Sequence, residues 1–294
     1  MPRLRVIVPL LTISGVLAWA LSDDGQGIRR AASRLGLLLQ FAGPPIPASS
    51  AALSEHDLEE LNAMSPQDQA TRLLEKAINN YRGAGTEIAK RLDSWTGAIH
   101  PTPELERLTN TAYFSSDLRV RTLALELWLV RDNIRKSPEA ADELIRDAGL
   151  TDGRQYFRLS TLGILGNRGV EPDRVFNTLL SFVHDSAGGA RNAAINGLGL
   201  LGTENTITPL LEVLRWDSSF DLRERAACNL ADSGMLSRGL RQKAVPELIR
   251  FAQDETLDAT TRKWVFQALR EIAQQNLPDD ASAWVRWYRS RPAQ

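Results

Sequence analysis

Residues 185–199 read DSAGGARNAAINGLG, and the spacing within this stretch decides the fold. Arg191 lies six residues after Asp185, and apolar residues follow the arginine at the third, fourth and seventh positions. These offsets place the apolar side chains on one stripe of a helix, whereas the first and fifth offsets point away from that stripe. The stretch therefore predicts an amphipathic helix with one buried face and one polar face.

The same pattern recurs at intervals of 37, 33, 32 and 39 residues. The arginines that carry it are Arg121, Arg158, Arg191, Arg223 and Arg262. Three of them follow an aspartate by six residues, and these aspartates are Asp152, Asp185 and Asp217. Ser115 replaces the aspartate in the first copy, and Asp254 lies eight residues before the last arginine, which predicts a two-residue insertion there. Periods of this length are typical of repeat proteins.

Between consecutive copies the chain has room for one further helix, as at residues 172–183, 206–214 and 243–252. Each unit is therefore predicted to be a helical hairpin that cannot bury its own apolar stripe and must stack on its neighbours. A capping hydroxyl followed by proline marks the start of several helices. These pairs are Ser65-Pro66, Thr102-Pro103 and Ser137-Pro138.

At these residues the chain resembles the HEAT-repeat family, over residues 103–275. Two segments, TPLLEVLRWD at 208–217 and VPELIRFAQD at 245–254, carry that family's first-helix proline with the turn aspartate eight residues later. The resemblance implies an all-α fold, a right-handed α–α superhelix. It also implies that the three aspartates and five arginines named above form a hydrogen-bonded ladder between neighbouring repeats.

The predicted organisation places HEAT-like repeats at residues 103–277. Residues 54–102 are predicted to form an irregular helical layer without the Asp/Arg pattern. Residues 278–294 are predicted to form a helix that caps the last repeat, because Trp284 and its aromatic neighbours supply a large apolar area. Residues 22–53 are predicted to be a linker that contains a short amphipathic helix and a Pro/Ser-rich stretch.

The first 21 residues carry a targeting pattern. A basic start, MPRLR, precedes an apolar run at residues 6–21, which is typical of a secretory signal or an N-terminal anchor. Residues 18–20, AWA, fit a cleavage site, whereas an uncleaved run of about sixteen residues would reach about 24 Å, short of a hydrocarbon core of about 30 Å. A cleaved signal, a retained membrane anchor and a buried first helix remain alternatives. The charges around the run predict export across the cytoplasmic membrane into the cell envelope.

Composition excludes several classes of function. The 294 residues are 43% hydrophobic and 24% charged, a balance typical of a globular chain. Lys plus Arg is 35 and Asp plus Glu is 36, so the formal charge of −1 lacks the basic excess of nucleic-acid binders. The single cysteine, Cys228, excludes an internal disulfide and a thiolate-rich metal site.

Two features that suggest chemistry are interpreted as structural. Residues 197–202, GLGLLG, match a dinucleotide-binding pattern, but that pattern requires a preceding strand, and here it ends a predicted helix with Gly202 as the stop. The three histidines, His56, His100 and His184, are scattered and form no zinc-binding pair. The sequence therefore predicts no catalytic residue, cofactor, metal or small-molecule substrate.

The function predicted is that of a scaffold, not an enzyme, which binds another protein through the concave surface of its second helices. Side chains at the first and fifth offsets are expected to make the contacts. The candidates are Thr122, Glu126, Asn192, Asn196, Glu224, Lys263 and Gln267. The resemblance leaves two alternatives, a bilin-lyase-like HEAT enzyme or chaperone and a DNA-glycosylase-like solenoid. The export pattern and the neutral charge argue against both.

Overall fold

Three helices begin where the sequence places a capping hydroxyl before a proline. In the computed structural model, which describes residues 51–291, the hydroxyls of Ser65, Thr102 and Ser137 accept hydrogen bonds from backbone N–H groups three residues later at 3.2, 3.2 and 3.3 Å. Each caps a helix with proline at its first position, which satisfies one of the N–H groups that a helix start leaves unpaired. The predicted signal or anchor at residues 6–21 lies outside the described residues.

Helices make up the regular structure of the described part, which contains one isolated β-bridge, between Ala52 and Arg82. In chain order they are α1 (Glu55–Ala63), α2 (Pro66–Ile78), α3 (Ala84–Trp95), α4 (Pro103–Tyr113), α5 (Leu118–Arg131), α6 (Pro138–Arg146), α7 (Gln155–Asn167), α8 (Pro172–Phe182), α9 (Gly188–Leu201), α10 (Ile207–Trp216), α11 (Phe220–Cys228), α12 (Arg238–Gln242), α13 (Val245–Gln253), α14 (Ala259–Ala273) and α15 (Ala281–Arg289). A 3₁₀ turn (Glu204–Thr206) precedes α10, and a π-helix (Asn229–Ser233) follows α11. The prediction of an all-helical fold is confirmed for these residues.

The second helices of five hairpins share one register. Each of the five arginines is the fourth residue of its helix, on α5, α7, α9, α11 and α14. The side chains three, four and seven residues later are buried in every copy, except that Trp128 on α5 is half-buried. The second helices α7, α9, α11 and α14 pack against one another in that order, so each stripe is covered by the neighbouring hairpins.

Two glycines allow α7 and α9 to approach each other closely. A Cβ on Gly163 of α7 would clash with the carbonyl of Gly197 on α9. A Cβ on Gly197 would lie 2.6 Å from the carbonyl oxygen of Leu159 and 2.6 Å from a methyl carbon of Leu179. The two backbones therefore meet directly, and α7 and α9 form the most extensive helix contact of the described chain.

The glycines of the GLGLLG stretch lie at contacts between helices. Gly199 faces the side chain of Asn229, whose amide donates a 3.0 Å hydrogen bond to the Ile195 carbonyl. Gly202 ends α9 with a φ of +61°, and a Cβ there would lie 2.5 Å from the Met235 backbone. The prediction that Gly202 stops the helix is confirmed, and its left-handed conformation explains the choice of glycine.

Two apolar clusters share α5. Ala124 and Leu127 belong to the cluster formed with α1–α4, and Leu125 and Leu129 belong to the cluster of the later helices. At the other end, α15 packs on α13, and its buried Trp284 donates a 3.0 Å hydrogen bond to a backbone carbonyl. Of the helices within residues 51–291, none is both long and apolar enough to cross a bilayer.

We expect Gly197→Ala to lower the free energy of unfolding by about 1–3 kcal/mol, because the added methyl forces two packed backbones apart. Gly189→Ala is the matched control, since Gly189 lies on the same helix with nothing within 4 Å of its would-be Cβ. Urea denaturation followed by circular dichroism measures both. Equal effects of the two substitutions would contradict the close α7–α9 contact.

Candidate functional site

The arginines on the second helices bind the turn that precedes their own helix. The guanidinium of Arg191 donates to the carbonyl of Asp185 at 2.8 Å, and that of Arg223 donates to the carbonyl of Asp217. Arg262 donates to the carbonyl of Asp254 at 2.6 Å, the residue eight positions earlier. Each arginine therefore satisfies a carbonyl where the chain reverses between the two helices of a hairpin.

Two of these arginines also join neighbouring repeats. Arg191 reaches the Asp217 carboxylate of the next hairpin at 2.9 Å, and Arg223 reaches the Asp258 carboxylate of the hairpin after that at 2.8 Å. The sequence analysis did not single out Asp258. Its carboxylate accepts the backbone N–H of Thr261, three residues later, and thereby caps α14. Asp254 instead pairs with Arg215 at 2.5 Å.

Three other predicted members of the ladder bind within their own turns. Arg158 forms a bidentate pair with Asp152 at 2.6 and 2.5 Å, which lowers the pKa of this carboxyl to about 2. The Asp185 carboxylate accepts the backbone N–H of Ala187 at 2.7 Å. These two contacts shape turns and do not link one hairpin to the next.

Arg121 departs from the predicted ladder. Among the described residues its hydrogen-bond acceptors are carbonyl oxygens, those of Ser115, Asp232 and Gly234, of which the last lies at 2.7 Å. The side chain is buried, and this burial lowers the pKa of the guanidinium. The reason is the packing of α5, which lies on α3 and α4 and turns its arginine toward the segment after α11.

We define the second-helix face as six of the seven candidate side chains at the first and fifth offsets, all except Glu126. Lys263 is exposed, and the other five are half-buried. Glu126 is a correction, because it is only 5% exposed and accepts hydrogen bonds from Arg168 and Lys136, both at 2.8 Å. Its position on α5 faces the end of α7, so the carboxylate joins chain segments instead of facing a partner.

Polar groups on the second-helix face are partly unsatisfied. The amide of Asn196 donates to the Ser160 hydroxyl of α7 at 2.9 Å. Asn192, one turn earlier, has a buried amide oxygen with no hydrogen-bond partner within the described chain. Such an acceptor costs about 1–3 kcal/mol when left unpaired, so Asn192 carries a polar group that the fold of the described chain does not satisfy.

Glu271 extends this face on α14 by one turn beyond Gln267, whose amide donates to it at 2.9 Å. Burial, and then the nearby Asp232 carboxylate, raise the pKa of Glu271 to about 7. Burial, together with the Glu271 and Glu224 carboxylates, raises the pKa of the Cys228 thiol to about 12, so the thiol stays protonated and is a poor nucleophile. Sequence reasoning missed Glu271, although it lies four residues after Gln267.

The comparison with protein families bears on this arrangement. Residues 143–231 match the family model described as HEAT repeats. Residues 143–231 are HEAT repeats. The matched segment contains Arg158, Arg191 and Arg223, whereas Arg121 and Arg262 lie outside it. HEAT repeats are generally non-catalytic, protein-binding units. No curated protein matches the chain.

The HEAT-repeat ladder generates a prediction about stability. We expect Arg191→Met to lower the free energy of unfolding by about 3 kcal/mol, because it leaves the carboxylate of Asp217, 6% exposed, without its cation. Arg119→Met is the matched control on another second helix, since the Arg119 side chain is 89% exposed in its pair with Asp117 and should matter by less than about 1 kcal/mol. Urea denaturation compares them, and similar losses would contradict the role of the ladder.

Glu271 predicts a pH dependence. The folded state keeps this carboxyl protonated up to about pH 7, whereas the unfolded chain releases the proton near the ordinary value of 4.5. The unfolded state therefore binds fewer protons in this window, and the free energy of unfolding should fall as pH rises from about 4.5 to 7. Glu271→Gln should remove this decrease. Glu143→Gln, at an exposed position on α6, should retain it; an unchanged slope in Glu271→Gln would contradict the assignment.

Proposed function

We propose that the protein is a scaffold without catalytic activity, which binds another protein through the second-helix face. The observation that carries this proposal is the match of residues 143–231 to HEAT repeats. Stacked hairpins offer a surface that extends over several repeats, and each repeat adds side chains from equivalent positions. The partner would contact the side of the second helices that points away from the buried apolar stripe.

The chemistry of the second-helix face supports a polar partner surface. The amide side chains of Asn192 and Asn196 and the carboxylate side chain of Glu224 are half-buried. Lys263 is exposed on α14. Amide groups and charges of both signs suit a protein surface with mixed donors and acceptors better than a uniformly charged polyanion. The formal charge of −1 gives no attraction for nucleic acid.

The absence of catalysis is part of the proposal. Cys228 has a thiol pKa of about 12, which removes it as a nucleophile at neutral pH. The described residues contain no group of three His, Cys, Asp or Glu side chains that could hold a metal ion. We therefore propose neither a cofactor nor a small-molecule substrate.

The location is proposed from the sequence. The basic start, the apolar run at residues 6–21 and the acidic residues after it support export into the cell envelope, with the run as an anchor if it is not cleaved. Mass spectrometry of the N-terminus of the chain purified from an envelope fraction tests this location. An intact chain recovered from the cytosol would contradict it.

The binding surface is tested by a double charge reversal, Glu224→Lys with Lys263→Glu. We expect the companion protein recovered with the tagged full chain from solubilised envelope to fall at least about tenfold, because like charges then meet across the interface. The control is Asp142→Arg with Arg174→Asp, which reverses an exposed ion pair on the first helices α6 and α8. Recovery that is unchanged in the first variant, or equally lost in both, would contradict the proposal.

A further inference from the structure

A groove of about 770 Å³ opens between α10 and α13, the first helices of the last two hairpins. Leu211 and Phe251, 9% and 5% exposed, lie on its floor, and Trp216, 70% exposed, stands at its side. α10 packs chiefly on α11, and α13 packs chiefly on α14 and α15. The groove is therefore lined by first helices and is separate from the second-helix face.

The groove coincides with the irregular part of the repeat pattern. The π-helix (Asn229–Ser233) and α12 (Arg238–Gln242) lie between α11 and α13, whereas a 3₁₀ turn (Glu204–Thr206) is the corresponding element between α9 and α10. The interval between the arginines rises to 39 residues here, from 32 in the preceding copy. The longer connection therefore lies, along the chain, between the two first helices that line the groove.

Charges along the groove are partly compensated. Arg215 pairs with Asp254 at 2.5 Å, and its guanidinium also lies 4.0 Å from the centroid of the Trp216 ring. Arg250 pairs with Glu247 on α13. Glu212 is exposed on α10, and no ion pair within residues 51–291 includes it. Both arginines of the groove are therefore paired, and the carboxylate of Glu212 is the charge that has no ion-pair partner within residues 51–291.

We propose that this groove binds a helix of another protein that carries an apolar stripe with a lysine or arginine beside it. The apolar side chains would cover Trp216 and the floor, and the cation would pair with Glu212. The assignment goes beyond the proposed function, because it concerns the first helices and not the second-helix face.

The dimensions and chemistry favour a helical segment. From Thr208 to Trp216 the groove follows α10 for about 12 Å, which matches two turns of a docked helix with apolar residues at i, i+3, i+4 and i+7. Tryptophan and arginine are enriched among the residues that contribute most of the binding energy at interfaces, and here Arg215 stacks on the exposed Trp216. The free carboxylate selects the sign of the partner's charge.

The test uses the full chain labelled with 5-fluorotryptophan and two amphipathic peptides with the same leucine stripe. One peptide carries lysines beside the stripe, and the other carries glutamates at the same positions. In ¹⁹F NMR titrations we expect the lysine peptide to shift the Trp216 resonance, assigned through Trp216→Phe, with saturation. The glutamate peptide should bind at least about tenfold more weakly, and Glu212→Lys should reverse this order.

Trp216→Ser should weaken binding of the lysine peptide at least about tenfold, whereas Phe220→Ser, at a 51% exposed aromatic outside the groove, should not. Binding is then read from the fluorescence anisotropy of a labelled peptide. No shift of the Trp216 resonance, equal affinity for both peptides, or equal losses in the two serine variants would overturn the proposal. A concentration-dependent dimer abolished by Trp216→Ser would assign the groove to a second copy instead. None of these results depends on Glu224 or Lys263, so failure here is distinct from failure of the second-helix face.

Discussion

The fold depends on the burial of an apolar stripe that no single hairpin can cover. Burying a leucine or isoleucine contributes about 1.5–3 kcal/mol, but the second helices have apolar positions that only neighbouring hairpins can shield. Leu162, Ile195 and Leu230 are all less than 1% exposed because α7, α9 and α11 are stacked. The contact of Gly163 with Gly197 is the extreme case, where side chains are absent and the backbones pack directly.

The arginines convert this packing into a fixed rotation for each helix. The guanidinium at the fourth position binds the turn before its own helix, and in Arg191 and Arg223 it also binds a carboxylate of the next hairpin. These contacts restrain the rotation of the helix about its own axis. Once the stripe and the arginine are fixed, the first and fifth offsets project from the same side of every second helix. The second-helix face is therefore a consequence of the register and needs few contacts of its own.

Local signals predicted helix starts and the register, because caps such as Thr102 and periodic apolar positions act within a few residues. The contacts that sequence reasoning missed join distant segments. Glu126 is buried by Arg168, 42 residues later, and Arg121 binds the carbonyl of Asp232, 111 residues later. No spacing rule reports such contacts, because they depend on how successive hairpins are placed. The groove beside Trp216 was missed for the same reason.

Irregularity and unusual chemistry occur in the same part of the chain. Where the repeats are regular, turn carbonyls and carboxylates are paired with arginines of the same or the preceding hairpin. The longer connection after α11 brings Asp232 close to Glu271, and burial with this neighbour moves the pKa of Glu271 to about 7. Trp216, at the end of α10 and before this connection, is 70% exposed. The inserted residues therefore distinguish this part of the chain from the repeats before it in the environment of its carboxylates as well as in length.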